Sequence, residues 1–247
     1  MSGAVAGGTG DRRVALVTGA ARGIGRAIAL ELAAAGCDVA VHFRSSRADA
    51  EETCRLLEVA GARWVLVQAD LADRAAARAA VAEAHAAFGR LDILVNNVGN
   101  YLYAPWDEVS DEQWDDIVDS NLHATLATCQ AAVPLMRERG WGRIVNLGYA
   151  GAGTLVARPN LLAYAVAKTG VLLVTRSIAR AEAATGITAN VVAPGVIETS
   201  VTQPLREIPA GRSGFVEEVS KSVRFLVSDE AAYVTGQEIA VAGGWNL

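Results

Sequence analysis

Thr18-Gly19-Ala20-Ala21-Arg22-Gly23-Ile24-Gly25 is the stretch whose reading sets the architecture. Before it lies an apolar run, Arg13–Thr18, with the pattern of a buried strand. After it, Ile24–Ala35 places Ile24, Ile28 and Leu32 on one helical stripe and stops at Gly36. Three glycines in a strand-to-helix turn remove the side chains that would keep an anion from backbone N–H groups and from the helix N-terminus. The spacing is GxxxGxG and not the GxGxxG dinucleotide fingerprint. Two readings therefore stand, a phosphate cradle or a tight turn that holds nothing.

Outward from this turn the same alternation repeats. Asp38–Phe43, Arg63–Gln68, Ile93–Asn96, Gly142–Leu147, Ile187–Ala193 and Glu238–Val241 read as further strands. Arg47 to about Ala60, Asp73–Phe88, Asp111–Arg139, Tyr164–Thr185 and Val216–Ser228 read as helices, with Pro134 expected to kink the longest near its end. Repeated βα units with near-continuous apolar strands predict an α/β protein. The expected fold is a single Rossmann-type doubly wound parallel sheet of about seven strands, covered by helices on both faces. No linker, repeat or low-complexity segment breaks the alternation. Residues 13–247 are expected to form one dinucleotide-binding and catalytic domain behind a small, Gly-rich, flexible tail at 1–12.

The composition fits this frame. A 247-residue chain that is 52% hydrophobic and 20% charged can bury a core without staples and is not disordered. A net charge of −5 gives no basic surface for nucleic acid. No apolar run reaches the roughly 18–20 residues of a membrane helix, and the N-terminus lacks a signal-peptide pattern, so a cytoplasmic location is expected. Cys37, Cys54 and Cys129 form no CxxC pair, and His42, His85 and His123 are scattered. Neither a disulfide framework nor a metal site is expected.

Two stretches carry chemistry. The second strand ends in His42-Phe43-Arg44-Ser45-Ser46-Arg47, with no carboxylate to meet a free ribose 2′-hydroxyl. Arg44 and Ser45, with Arg22 of the glycine turn, suit a 2′-phosphate instead, which favours NADP(H) and leaves NAD(H) possible. The alternative is that Arg44 and Arg47 are solvated loop charges. Further on, Tyr164-Ala165-Val166-Ala167-Lys168 sets a phenol and an amine at i and i+4 on one helix face. Only two of the 22 basic residues are lysines, so a merely solvated charge here would more often be arginine. A fixed ammonium favours the phenolate and is expected to lower a phenol pKa of about 10 toward the range useful for acid–base catalysis.

The glycine turn, Asn96-Asn97-Val98-Gly99, Ser120-Asn121, Tyr164–Lys168 and Pro194-Gly195-Val196-Ile197-Glu198-Thr199 occur in this order. Together they resemble the short-chain dehydrogenase/reductase family, especially its 3-oxoacyl-carrier-protein-reductase-like branch, from about Val14 to Trp245. Val98 stands where alanine is commoner. The resemblance implies an oxidoreductase that interconverts a carbonyl and an alcohol by hydride transfer. Tyr164 would be the acid/base, Lys168 would tune it and hold the nicotinamide ribose, and Asn121 would hold a relay water through its carbonyl. Gly19, Arg22, Gly23, Ile24 and Gly25 would cradle the phosphates. Asn97 and Gly99 would line the adenosine side, and Asp70 and Leu71 would meet the adenine. Pro194, Gly195, Ile197 and Thr199 would frame the nicotinamide. Relatives of this kind commonly pair through the two long helices, so a homodimer or homotetramer acting on a small molecule is expected.

Two departures matter. The family's catalytic serine follows the fifth strand, where this chain reads Asn146-Leu147-Gly148-Tyr149-Ala150-Gly151 and places Gly148 and Tyr149 at the hydroxyl positions. Tyr149 is a candidate catalytic donor or a wall of the pocket. Thr154 is a second candidate donor, and a third option is a substrate, such as an imine, that needs none. Loss of one such donor typically costs about 10²–10³ in rate. A protein that binds the cofactor with little redox activity, as a sensor or scaffold, is the rival reading. In addition, Ser200–Ala210 contains Pro204 and Pro209 and is too short for a two-helix lid, which leaves Tyr101, Tyr103 and Trp106 as candidate rim residues.

Overall fold

The computed structural model describes residues 12–200 and 203–246. Seven strands form one sheet: β1 (Val14–Val17), β2 (Asp38–Phe43), β3 (Trp64–Gln68), β4 (Ile93–Asn96), β5 (Gly142–Leu147), β6 (Ile187–Pro194) and β7 (Glu238–Val241). Their order is β3-β2-β1-β4-β5-β6-β7, and every pair is parallel, with Leu16 of β1 opposite Ala40 of β2 and Leu94 of β4. The helices are α1 (Gly23–Ala34), α2 (Arg47–Val59), α3 (Arg74–Phe88), α4 (Asp111–Val118), α5 (Ala124–Arg139), α6 (Leu162–Glu182) and α7 (Val216–Val227).

Strand residues alternate between two buried layers because successive side chains point to opposite faces. Val17, Val41, Val95 and Val145 join Ile28 and Leu32 of α1, Leu57 of α2 and Val223 and Leu226 of α7. Leu16, Val67, Leu94 and Ile144 join Val81 of α3, Val133 and Met136 of α5 and Ala179 of α6. Each fully buried branched side chain contributes roughly 1.5–3 kcal/mol, so a sheet covered on both faces is the stable outcome for strands this apolar. By length and composition α6 is apolar enough to cross a membrane. Its Ala179 belongs to the core, while Val166 and Leu173 face outward.

The expected element boundaries agree with the structure to within three residues, with one correction. The helix expected over Asp111–Arg139 is interrupted. Asp119–His123 forms a π-turn in which the Ala124 N–H donates to the Asp119 carbonyl, five residues back. Ser120 Oγ donates to the Asp116 carbonyl (2.6 Å) and Thr125 Oγ1 to the Asn121 carbonyl (2.7 Å), so side-chain hydroxyls take up carbonyls of the helical ladder around the turn. α5 then runs through Pro134 to Arg139. The tail expected at 1–12 lies outside the described residues except for Arg12. That residue is anchored, donating to the Gly61 carbonyl (2.6 Å) and pairing with Asp38 (3.5 Å). Between Pro194 and Arg212 the described residues hold one 3₁₀ turn, Leu205–Glu207, in keeping with a segment too short for a two-helix lid.

Candidate functional site

β1 is flanked by β2, next in sequence, and by β4, which returns from the far side of the sheet. The carboxyl ends of β1 and β4 therefore flank the crevice where open α/β sheets bind ligands. The glycine turn lies there for local reasons. Gly19 and Gly23 have φ of +62° and +57°, in the left-handed region that glycine tolerates. A Cβ on Gly25 would overlap the Gly19 carbonyl oxygen and sit 2.7 Å from Asn97 Nδ2. Asn97 fixes the turn from β4: its N–H donates to Thr18 Oγ1 (2.8 Å) and its Nδ2 to the Thr18 carbonyl (3.1 Å). The N-terminus of α1 receives no side-chain cap from Arg22 and carries no acid in its first turn. Its N–H groups and partial positive charge are thus suited to an anion.

Two cavities meet at Asn97 and Gly99. One, of about 270 Å³, is lined by Gly19, Arg22, Arg44, Ser45, Asp70 and Leu71 among others. Arg44 has only a 3.9 Å pairing with exposed Asp70, so its guanidinium retains donors for a ligand. The other, of about 230 Å³, is lined by Ile24, Tyr149, Tyr164, Lys168, Pro194, Gly195 and Ile197, together with Tyr101, Leu161, Ser200 and Trp245. Gly25 is absent from both linings and shapes the turn from behind.

Tyr164 and Lys168 lie one turn apart near the start of α6, with Lys168 Nζ 5.6 Å from the centre of the Tyr164 ring. The ammonium donates to the Leu147 carbonyl at 2.7 Å, at the end of β5. The expected lowering of the phenol pKa does not occur here: burial pushes Tyr164 up, and neighbouring Tyr101 and Tyr149 add to that effect. Burial acts on the amine as well, pushing Lys168 down to about 8. The two rings pack on Tyr164 with centroids at 5.2 Å for Tyr101 and 5.6 Å for Tyr149.

Other expected residues fall outside the cavity walls. Asn121 is fully buried in the π-turn, its Nδ2 donating to the Asn100 (2.9 Å) and Ile117 (3.0 Å) carbonyls, while its Oδ1 has no hydrogen-bond partner. A Cβ on Gly99 would overlap that Oδ1. Thr199 is exposed and lines neither cavity. Thr154 is also exposed, and its hydroxyl is committed to the Gly151 carbonyl (2.8 Å) in the turn after β5, so it does not reach in. Tyr103 and Trp106 are exposed and line neither cavity, unlike Tyr101.

The sequence reading missed three contributors. Ser200 Oγ accepts the Ile197 N–H (3.0 Å), which leaves its own proton to donate at the cavity wall. Trp245 arrives from beyond β7, and no local pattern marks it. His42 Nδ1 accepts the Gly19 N–H (3.1 Å), which assigns the proton to Nε2, 3.1 Å from the Ala69 carbonyl. Burial pushes its pKa down to about 4, so it bridges the glycine turn to the loop after β3 as a neutral ring.

A family model described as enoyl-(acyl carrier protein) reductase matches residues 19–246. The 3-oxoacyl-[acyl-carrier-protein] reductase FabG of Staphylococcus aureus is 40% identical over 243 residues, covering 94% of this chain and 98% of that protein. The protein of the same name from Escherichia coli K12 is 38% identical over 246 residues, covering 96% and 98%. Among solved structures, a putative short-chain alcohol dehydrogenase from Sinorhizobium meliloti 1021 superposes with a TM-score of 0.89 at 38% identity, over 94% of this chain and 96% of that one. A blue fluorescent protein from a metagenomic library, in complex with NADPH, superposes with a TM-score of 0.90 at 38% identity, over 95% and 98%.

Proposed function

This chain belongs to the short-chain dehydrogenase/reductase family of oxidoreductases, and from that premise we propose that it interconverts a carbonyl and an alcohol with NADP(H), using Tyr164 as acid/base. One observation carries the proposal. Tyr164 and Lys168 share a wall of the cavity that adjoins the uncapped N-terminus of α1.

The residues present fit a phosphorylated dinucleotide. The glycine turn and α1 N-terminus would take the diphosphate, and Arg22, Arg44 and Ser45 the 2′-phosphate. Asp70 and Leu71 would take the adenine, and Pro194, Gly195 and Ile197 the nicotinamide end. When bound, the cofactor supplies or accepts the hydride. The protein's own part is to position the carbonyl and move its proton. In reduction, Tyr164 donates the phenolic proton to the substrate oxygen, and the Lys168 ammonium stabilises the phenolate left behind. Asn121, behind the cavity wall and with its carbonyl already accepting the Thr125 hydroxyl, would use that carbonyl's second lone pair to hold the water that reprotonates this relay. The NADPH complex of a structural neighbour supports the cofactor assignment.

By the family resemblance Tyr149 takes the place of the catalytic serine, and we assign it as carbonyl donor or pocket wall, with Ser200 the other hydroxyl on that wall. A second reading, a cofactor-binding sensor or scaffold with little turnover, rests on that missing serine alone. A reductase of imine-type substrates is a further variant. A cytoplasmic homodimer or homotetramer is the assembly and location we propose. For Tyr164→Phe we expect NADPH-linked turnover to fall by about 10²–10⁴, while NADPH binding, followed by fluorescence, stays within about twofold. Undiminished turnover in that variant removes the acid/base role. Tight NADPH binding by the native protein without turnover on a panel of carbonyls and imines favours the sensor reading.

A further inference from the structure

Arg158, in the segment between the 3₁₀ turn Ala152–Thr154 and α6, stands apart from the chain's other half-buried arginines. Its Nε is buried and has no hydrogen-bond partner. No carboxylate among the described residues pairs with it. By contrast, Arg13, Arg63 and Arg90 each hold one, and Arg26 donates to the Ala21 and Asp49 carbonyls and to Thr53. Arg158 contacts an aromatic instead: its guanidinium carbon lies 5.9 Å from the centre of the Trp245 ring. A Cβ on Gly151 would be 3.6 Å from Arg158 Nη2, so the guanidinium also rests against the turn that carries Tyr149.

Trp245 and Tyr149 both line the cavity that holds Tyr164, and no aspartate or glutamate lines it. The carboxylate nearest in kind, Glu238 of β7, interacts with Arg176 and the Gly153 backbone and not with Arg158. A buried donor left without an acceptor is destabilising, and such a group calls for an explanation. A planar guanidinium in water-poor surroundings is the preferred partner of an oxyanion.

We propose that Arg158 forms an oxyanion subsite of the substrate pocket, so that the carbonyl substrate carries a carboxylate or phosphate held beside Trp245 while its carbonyl faces Tyr164. This rests on the oxidoreductase reading above and narrows its substrate class to oxo-acids or oxo-phosphates. Trp245 lines the substrate cavity and Arg158 abuts Trp245 without lining either cavity; neither is among the residues assigned above to the dinucleotide.

The test is binding, so it does not depend on turnover. Calorimetry would compare levulinate, dihydroxyacetone phosphate and uncharged methyl levulinate, on the free chain and on the chain saturated with NADP⁺. We expect at least one of the two anions to bind at least tenfold more tightly than methyl levulinate. We expect Arg158→Gln to abolish that preference, Arg158→Lys to restore part of it, and neither to change the NADPH affinity. Which anion wins separates carboxylate from phosphate. The proposal is overturned if neither anion is preferred, or if the preference survives Arg158→Gln in a variant that still binds NADPH. Failure of the native chain to bind NADPH would defeat the oxidoreductase reading instead, and the free-chain titrations would still decide the role of Arg158.

Discussion

At the residue scale, the lysine and not the tyrosine is the group whose titration falls in the working range. Burial lowers Lys168 to about 8 and raises Tyr164 above its usual value. In carbonyl reduction the phenol must arrive protonated and the neighbouring amine charged. The phenol meets its condition throughout the neutral range, whereas the amine loses its proton as pH rises through about 8. The reduction kcat/KM, which reports the free enzyme's groups, should therefore be level up to about pH 7 and fall with a limb near pH 8. A profile that stays flat to pH 9.5 would show that the Lys168 charge is not required. The sequence alone supports the pairing of these two residues, because i and i+4 share a helix face. It does not support the direction of the phenol's shift, which comes from burial first and then from two rings of other elements, Tyr101 and Tyr149.

At the element scale, two glycines with similar constraints should behave differently when replaced. Gly25 sits in the turn that faces the crevice, and a Cβ there would overlap the Gly19 carbonyl. Gly186, with φ of +80°, precedes β6 at the opposite edge of the sheet, and a Cβ there would overlap the Gly140 carbonyl. Gly25→Ala should weaken NADPH binding at least tenfold in a fluorescence titration. Gly186→Ala should lower stability by about 2–4 kcal/mol in urea unfolding, through left-handed strain plus the clash, with kcat unchanged in the folded fraction. If instead both variants bind NADPH normally, the turn is not the cradle. Elements like these were legible because each strand is a short apolar run between turn residues and each helix shows a stripe. The π-turn at Asp119–His123 was not, since its cause is a competition between hydroxyls and backbone carbonyls that leaves the helical periodicity almost intact.

At the scale of the whole molecule, a parallel sheet of about seven strands followed from the repeated βα units. The meeting of Arg158 with Trp245, which lines the pocket, did not follow. Trp245 and Arg158 are far apart in sequence, and each looks unremarkable in its own segment; only the closed fold brings them together. The outward face of α6 belongs to the same scale. Leu162, Val166 and Leu173 are 39%, 43% and 59% exposed on a helix whose other side is buried in the core. Apolar side chains aligned in this way favour association through that helix. Light scattering after size exclusion should give two or four times the chain mass, and Leu173→Glu should shift the population toward the monomer. A native protein that elutes at the mass of one chain would contradict the assembly.

The scarcity of lysine has a practical outcome. Lys168 is only 5% exposed, on the wall of its cavity, whereas Lys221 stands exposed on α7. An amine-reactive dye, or a resin bearing activated esters, would therefore find one side chain on the folded surface. With the α-amine blocked, the protein could be tagged or tethered there in a single orientation, on the helix that packs against α1, without an engineered cysteine.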